Sequence, residues 1–136
     1  MATFNKFDDF VVQLSSKTHD LTSDQLMVYL TNSTPDAATQ ATKTDLVGIV
    51  EEHGYAPADI TRTFSATGGV ATIGATSVLF TATGGSFGPF RYAVIYNNTT
   101  TNKNLIGYVD YGSTITVLVG ETFLVAFGAS LMTITT

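Results

Sequence analysis

Three glycines, Gly112, Gly120 and Gly128, stand eight residues apart near the end of the chain, and the stretches they separate read "STITVLV" and "ETFLVAF". Short runs rich in Val, Ile, Thr and Phe and closed by glycine have the composition of β-strands. A parallel crossover needs a dozen or more residues, so strands this close in sequence pair mostly antiparallel. Strand signals at roughly eight- to twelve-residue spacing indicate a sandwich or a barrel. The even glycine spacing reflects strand length and marks no repeat family.

The same pattern reaches back to Tyr55. "DITRTFSA" alternates Ile60, Arg62 and Phe64 with threonines and serine, and "TSVLFTA" places Val78, Phe80 and Ala82 on one face. "FRYAVIYN" places Phe90, Tyr92, Val94 and Tyr96 opposite Arg91, Ala93 and Ile95, while "LIGYVDY" and "SLMTIT" supply further candidates. The polar linker "NNTTTNKN" folds the strand ending at Asn97 back along the strand from Leu105, making one long hairpin. Before it, "GGSFGPF" uses Gly84 and Gly88 for a tight turn, and Pro89 fixes the start of the next strand. Gly112 closes the return strand.

The first third differs. Phe4, Phe7, Val11 and Leu14 recur at spacings of three and four, with Phe10 and Leu21 flanking the same stripe. This predicts an amphipathic helix with Thr3 as N-cap and Asp8 and Asp9 at its positive end. Its stripe packs either on the protein's own sheet or on a neighbouring subunit. "QLMVYLT" then alternates Leu26, Val28 and Leu30 against Met27 and Tyr29, a strand ended by the turn formers "NSTPD". "DLVGIVEEHGY" offers a short helix or turn from Asp45 closed by Gly54. The fold expected is mainly β, an antiparallel β-sandwich with a jelly roll as one version of it, behind an N-terminal amphipathic helix. One domain covers 1–136, with the helix over 1–21, a strand, loop and short helix over 25–55, and the β core over 58–136.

Composition narrows the function. Charged residues make up 12% of the 136, against roughly 25% in ordinary soluble domains. The net charge is -5, and the six basic residues are scattered between Lys6 and Lys103 without forming a patch. Sequence-independent nucleic-acid binding draws on clustered lysine and arginine, so nucleic acid is not an expected partner. The absence of cysteine excludes disulfides, thiolate metal sites and thiol nucleophiles. No signal peptide is expected from an N-terminus carrying Asp8 and Asp9, and no apolar run approaches the roughly 18 residues of a membrane span. The N-x-[ST] triplets at Asn32, Asn97 and Asn98 are chance matches in a threonine-rich chain.

Candidate chemistry is sparse. His19, read as ending the first helix beside Asp20, suits a helix C-terminus; His53 after Glu51 and Glu52 would bind metal only if all three converged. No nucleophile elbow, Walker loop or H-E-x-x-H pattern occurs. Asp110 and Glu121 could flank a sugar bond as paired carboxylates, but each reads more naturally as a solvated loop acid. Tyr92, Tyr96, Tyr108 and Tyr111, if exposed on a sheet face, would make a carbohydrate-binding module. Arg91 is assigned a cross-strand partner in Asp110, because folding at "NNTTTNKN" carries Asp110 towards the Arg91 end. The chain is therefore read as non-enzymatic, with no catalytic residue, metal or cofactor, and Gly84, Gly88, Pro89, Arg91, Asp110 and Gly112 as structural residues of the β core.

Three pieces in succession carry a resemblance: "FNKFDDFVVQLSSKTHDL" followed by "QLMVYLTNSTP", the block "FTATGGSFGPFRYAVIYNN", and "LIGYVDYGSTITVLVGETFLVAF". In this order they resemble a family of small virion structural proteins of tailed bacteriophages. The resemblance implies a β-rich protein of the mature particle, a capsid decoration or cement protein binding across major capsid protein subunits. A tail or neck structural protein is the alternative. It further implies the major capsid protein as partner, a homo-oligomer with a trimer as one arrangement, and location in the virion after assembly in the host cytoplasm. Phe4, Phe7, Phe10, Val11 and Leu14 would be the contact stripe.

Overall fold

The computed structural model describes residues 3–135. Among these, the chain runs β1 (Phe4–Lys6), α1 (Asp8–Ser15), β2 (Leu26–Thr31), a 3-10 turn (Lys43–Asp45), β3 (Ala58–Asp59), β4 (Thr63–Thr67) and β5 (Val70–Gly74). It continues through β6 (Val78–Thr81), β7 (Phe87–Asn97), β8 (Leu105–Val117), β9 (Thr122–Val125) and β10 (Met132–Thr135). The protein is mainly β with one short N-terminal helix, and every strand pair is antiparallel. Hydrogen bonding defines three sheets, in the orders β1-β8-β7-β2-β3, β10-β5-β4 and β6-β9.

The pairing is nested. β7 joins β8, β6 joins β9 and β5 joins β10, each pair enclosing the one before it in sequence. One ribbon thus doubles back at the polar linker, where Asn97 N–H donates to the Asn104 carbonyl at 2.9 Å and Thr99 N–H to Asn97 Oδ1 at 2.9 Å. The side-chain amide tightens a turn that the backbone has begun.

Gly112 is placed differently from the sequence expectation. "LIGYVDY" and "STITV" form one strand, β8, and Gly112 lies inside it. Between the pairs Phe90↔Ile115 and Tyr92↔Asp110, β7 advances two residues while β8 advances five, so residues 111–114 bulge opposite Arg91. Such bulges re-aim side chains. Here the alternation flips: Phe90 packs in the main core with Ala93 and Ile95, whereas Val94 and Tyr96 face the other side, correcting the grouping of Phe90 with them.

The main core lies between one face of the large sheet (Leu26, Val28, Leu30, Ala93, Ile95, Ile106) and Ile73, Phe80, Val125 and Met132 of the smaller sheets. A second cluster, with Tyr29, Val94, Tyr96, Leu105, Leu46 and Phe7, covers the opposite face. β2 is therefore covered on both faces, consistent with its unbroken run "LMVYLT". The segment after the 3-10 turn lies over it: Tyr29 OH donates to the Leu46 carbonyl at 2.7 Å, and Leu30 N–H donates to Tyr55 OH at 2.8 Å. No helix runs from Asp45 to Gly54, because those residues serve as this cover.

The N-terminal helix is shorter than its apolar spacing suggests. Phe4–Lys6 pairs with β8 as an edge strand, Phe7 is the N-cap in place of Thr3, and the helix stops at Ser15. Lys17 adopts φ +71°, with Thr18 N–H donating to the Gln13 carbonyl at 2.9 Å and Lys17 N–H to the Leu14 carbonyl at 3.3 Å. This is a Schellman ending. Leu21 reaches the core from the turn that follows, in which Asp20 accepts from Thr22 N–H at 3.1 Å and from Ser23 Oγ at 2.9 Å.

Candidate functional site

Arg91 and Asp110 meet across the hairpin. Nε and Nη2 donate to Oδ1 at 2.8 Å and Oδ2 at 3.1 Å, a fork-to-fork pair, and Gly112 N–H adds a third bond to Oδ1 at 2.8 Å. Arg91 is one residue out of register with Asp110, whose backbone partner is Tyr92. The bulge makes the offset reachable. The hydrogen bonds from Arg91, and then that from Gly112, hold the Asp110 carboxyl below its usual range. Both side chains remain more than a third exposed, at 39% and 37%, so the pair fastens a bulge on the surface and is no buried strut.

Gly84, at φ +75°, lies in the turn before β7, and Gly88 and Pro89 lie within β7 itself. His53 reaches over this turn, its Nδ1 donating to the Ser86 carbonyl at 2.7 Å, while Thr83 N–H donates to the His53 carbonyl at 2.9 Å. His53 thus ties the turn to the segment covering β2. Glu52 stands 3.9 Å from Nδ1, and among the described residues no three His, Cys, Asp or Glu side chains are grouped to hold a metal.

The other candidates separate as well. Glu121 Oε1 accepts from Leu118 N–H at 3.0 Å and caps the turn before β9, so it and Asp110 serve local backbone roles. Tyr92 and Tyr96 are buried, Tyr108 packs edge-on to Phe7 and Tyr92, and Tyr111 packs edge-on to Phe123. Burial pushes the Tyr111 hydroxyl up to about 12. These rings do not form the open stacking face a glycan-binding module requires. Of the helix stripe, Phe7 and Phe10 are buried in the protein's own clusters and Phe4 and Leu14 are partly buried against the core. Val11 points outward with Val12, both 58% exposed.

A polar cluster escaped the sequence reading. His19, placed after the helix and not at its end, is buried beside the Phe10 ring, with centroids 5.3 Å apart. Asn97 Nδ2 faces His19 Nδ1 at 3.0 Å and donates to Asp24 Oδ2 at 2.7 Å. Two neighbours fix the amide's orientation: Asp24 requires a donor on one side, and Thr99 N–H requires an acceptor on the other. His19 Nδ1 must therefore accept, so the ring is neutral and its proton sits on Nε2. Burial lowers the imidazole's affinity for a second proton, against the opposing pull of Asp24 and Asp9. Neither Nε2 nor Asp9 Oδ2 has a protein hydrogen-bond partner. Only the turn formers around Asp20 hinted at this cluster, since Asn97 lies 78 positions from His19.

No protein-family model, curated protein or solved structure matches the chain. Among the described residues, no helix is long and apolar enough to cross a membrane.

Proposed function

We propose that the chain is a structural component of a tailed-phage virion, a capsid decoration or cement protein that binds across major capsid protein subunits. The observation that carries this reading is the ordered three-part sequence resemblance, which spans the helix, β2, the hairpin and β9. A surface suited to a protein partner supports it. Val11 and Val12 on α1, and the cross-strand pair Leu79 and Leu124 on the β6–β9 ribbon, are large apolar side chains more than half exposed. Apolar side chains repeated over many copies suit a protein that works by covering joints, each contact burying on the order of 1,200–2,000 Å².

Contact through α1 would use its outer side, Val11 and Val12, with Leu14 at the edge, because Phe7 and Phe10 are already committed to the core. No catalytic group or cofactor enters this role. Mass spectrometry of purified particles of the phage carrying the gene tests it: the chain should be present at a fixed ratio to the major capsid protein. Its absence from particles, or presence only in traces, would refute the proposal.

A further inference from the structure

Among the described residues, β4 is the longest strand at a sheet edge, and all of its residues, Thr63–Thr67, are exposed. The two edges of the large sheet, β1 and β3, are shorter and carry Lys6 and Asp59. Open edges in soluble proteins are ordinarily blunted by charge, proline or a bulge. β4 has none of these: its ladder with β5 is regular, and no charged residue occurs from Thr63 to Phe90.

The two-residue turn Gly68–Gly69 fixes which backbone groups are left over. Thr67 and Val70 flank it as a hydrogen-bonded pair, so Ser65 and Thr63 also bond to β5, while the N–H and C=O groups of Phe64 and Ala66 point away from it. Among the described residues, no backbone group outside the ladder bonds to them. An antiparallel copy of β4 centred on Ser65 matches this edge. It sets Ser65 opposite Ser65, Phe64 opposite the small Ala66, and Thr63 opposite Thr67, with the free groups of Phe64 and Ala66 at the hydrogen-bonded positions. Threonine pairs and a ring against a small side chain suit cross-strand contact, and the uncharged stretch lets two copies of a chain of net charge -5 meet there without like charges opposed. Phe64, opposite the core residue Ile73 in the β4–β5 ladder, is 41% exposed beside an apolar groove also lined by Leu14, Leu21 and Ile134. A second strand at this edge covers that ring.

We propose that β4 pairs with β4 of a second copy about a twofold axis at Ser65, joining two three-stranded sheets into one six-stranded antiparallel sheet. The pairing belongs to the chain itself and is independent of any role in a particle. A ladder this short is smaller than a standard interface, so the dimer is reversible. Sedimentation of the full-length protein should show monomer at about 10 μM and a growing dimer fraction towards about 1 mM. Over the same range the amide protons of Phe64 and Ala66 should move downfield in nuclear magnetic resonance spectra, and that of Ser65 should not. Ser65→Cys, in a chain without cysteine, should oxidise to a disulfide-linked dimer, because non-hydrogen-bonded pairs bring Cα atoms to about 4.5 Å. Thr67→Cys, which faces Thr63 of the second copy, should not cross-link. Ser65→Lys sets like charges directly opposite and should keep the parent's melting temperature while staying monomeric at about 1 mM. The proposal is overturned by a parent protein that stays monomeric at about 1 mM, by unmoved Phe64 and Ala66 amides, by Thr67→Cys cross-linking as readily as Ser65→Cys, or by undiminished association of Ser65→Lys.

Discussion

Gly88 sits at φ +116°, where an added Cβ would lie 2.8 Å from the Ile115 carbonyl oxygen, whereas Gly112, at φ +86°, would place its Cβ in open space. The two positions share a backbone demand and differ in crowding. Gly112→Ala should cost about 1–2 kcal/mol from strain alone, and Gly88→Ala about 2–4 kcal/mol once the clash is added. Urea denaturation of both variants checks the order; equal losses would contradict it. Arg91→Ala should lower the melting temperature slightly, with the difference shrinking in high salt, because the pair it breaks is exposed.

His19 gives stability a pH dependence of defined sign. Its folded pKa lies below the unfolded value of 6.5, so below neutrality the unfolded chain binds more protons than the folded one. The contribution is complete above pH 6.5 and is lost as the pH falls from there towards the lower folded value. Protonation would also turn Nδ1 into a donor facing the Asn97 amide donor, opening the link between the 18–24 turn and the hairpin. Chemical denaturation from pH 7.5 to 5 should therefore show falling stability in the parent protein and a flatter profile in His19→Gln. Asp20, Asp45 and Asp110 act in a separate window, since their lowered pKa values keep them ionised and their stabilisation is lost only as the pH falls below about 3.8.

At the level of elements, α1 presents two different faces. Phe10→Ala should cost about 3–5 kcal/mol, as expected for a fully buried ring, while Val11→Asp should leave the unfolding free energy within about 0.5 kcal/mol of the parent. Under the proposed function, Val11→Asp paired with Val12→Asp should still fold and fail to join particles. Thermal denaturation and a co-sedimentation assay with particles read the two effects separately. The stripe was legible in the spacing of Phe4, Phe7 and Leu14 with Phe10 beside them, and its inward sense was one of the two readings the sequence left open. Val11, counted in the stripe, instead points outward because the helix turns its inner side through Phe10. Its end was not legible, because Leu21 continues the apolar spacing although Lys17 has already reversed the chain.

The β7–β8 hairpin was legible for a physical reason: "NNTTTNKN" is a dense run of turn formers between two alternating segments, and pairing follows from proximity. Even the Arg91 to Asp110 contact follows from counting outward from that turn. Gly112 was misread because a bulge glycine and a turn glycine look alike in sequence; only the partner strand's register distinguishes them. The His19, Asp24 and Asn97 cluster was illegible, since its members come together only once β7 pairs with β2. The double burial of β2 depended on a 46–55 cover that the sequence offered as a short helix or turn and that forms neither helix nor strand.

For the whole molecule, nested pairing concentrates order in one ribbon wound around a shared core, and low charge leaves threonine-rich strands and isolated apolar side chains at the surface. Fold alone fixes no function, because the same architectures serve many roles. The proposal of a shell-binding part rests on the sequence resemblance and gains support from the outward apolar groups of α1 and the β6–β9 ribbon. A side-chain-resolution reconstruction of the intact particle tests it most directly. The account predicts density for this ribbon fold on the outer shell, bridging adjacent major capsid protein subunits with Val11 and Val12 or Leu79 and Leu124 in the contact. A shell fully accounted for without such density, or this fold found only in the neck or tail, would contradict it.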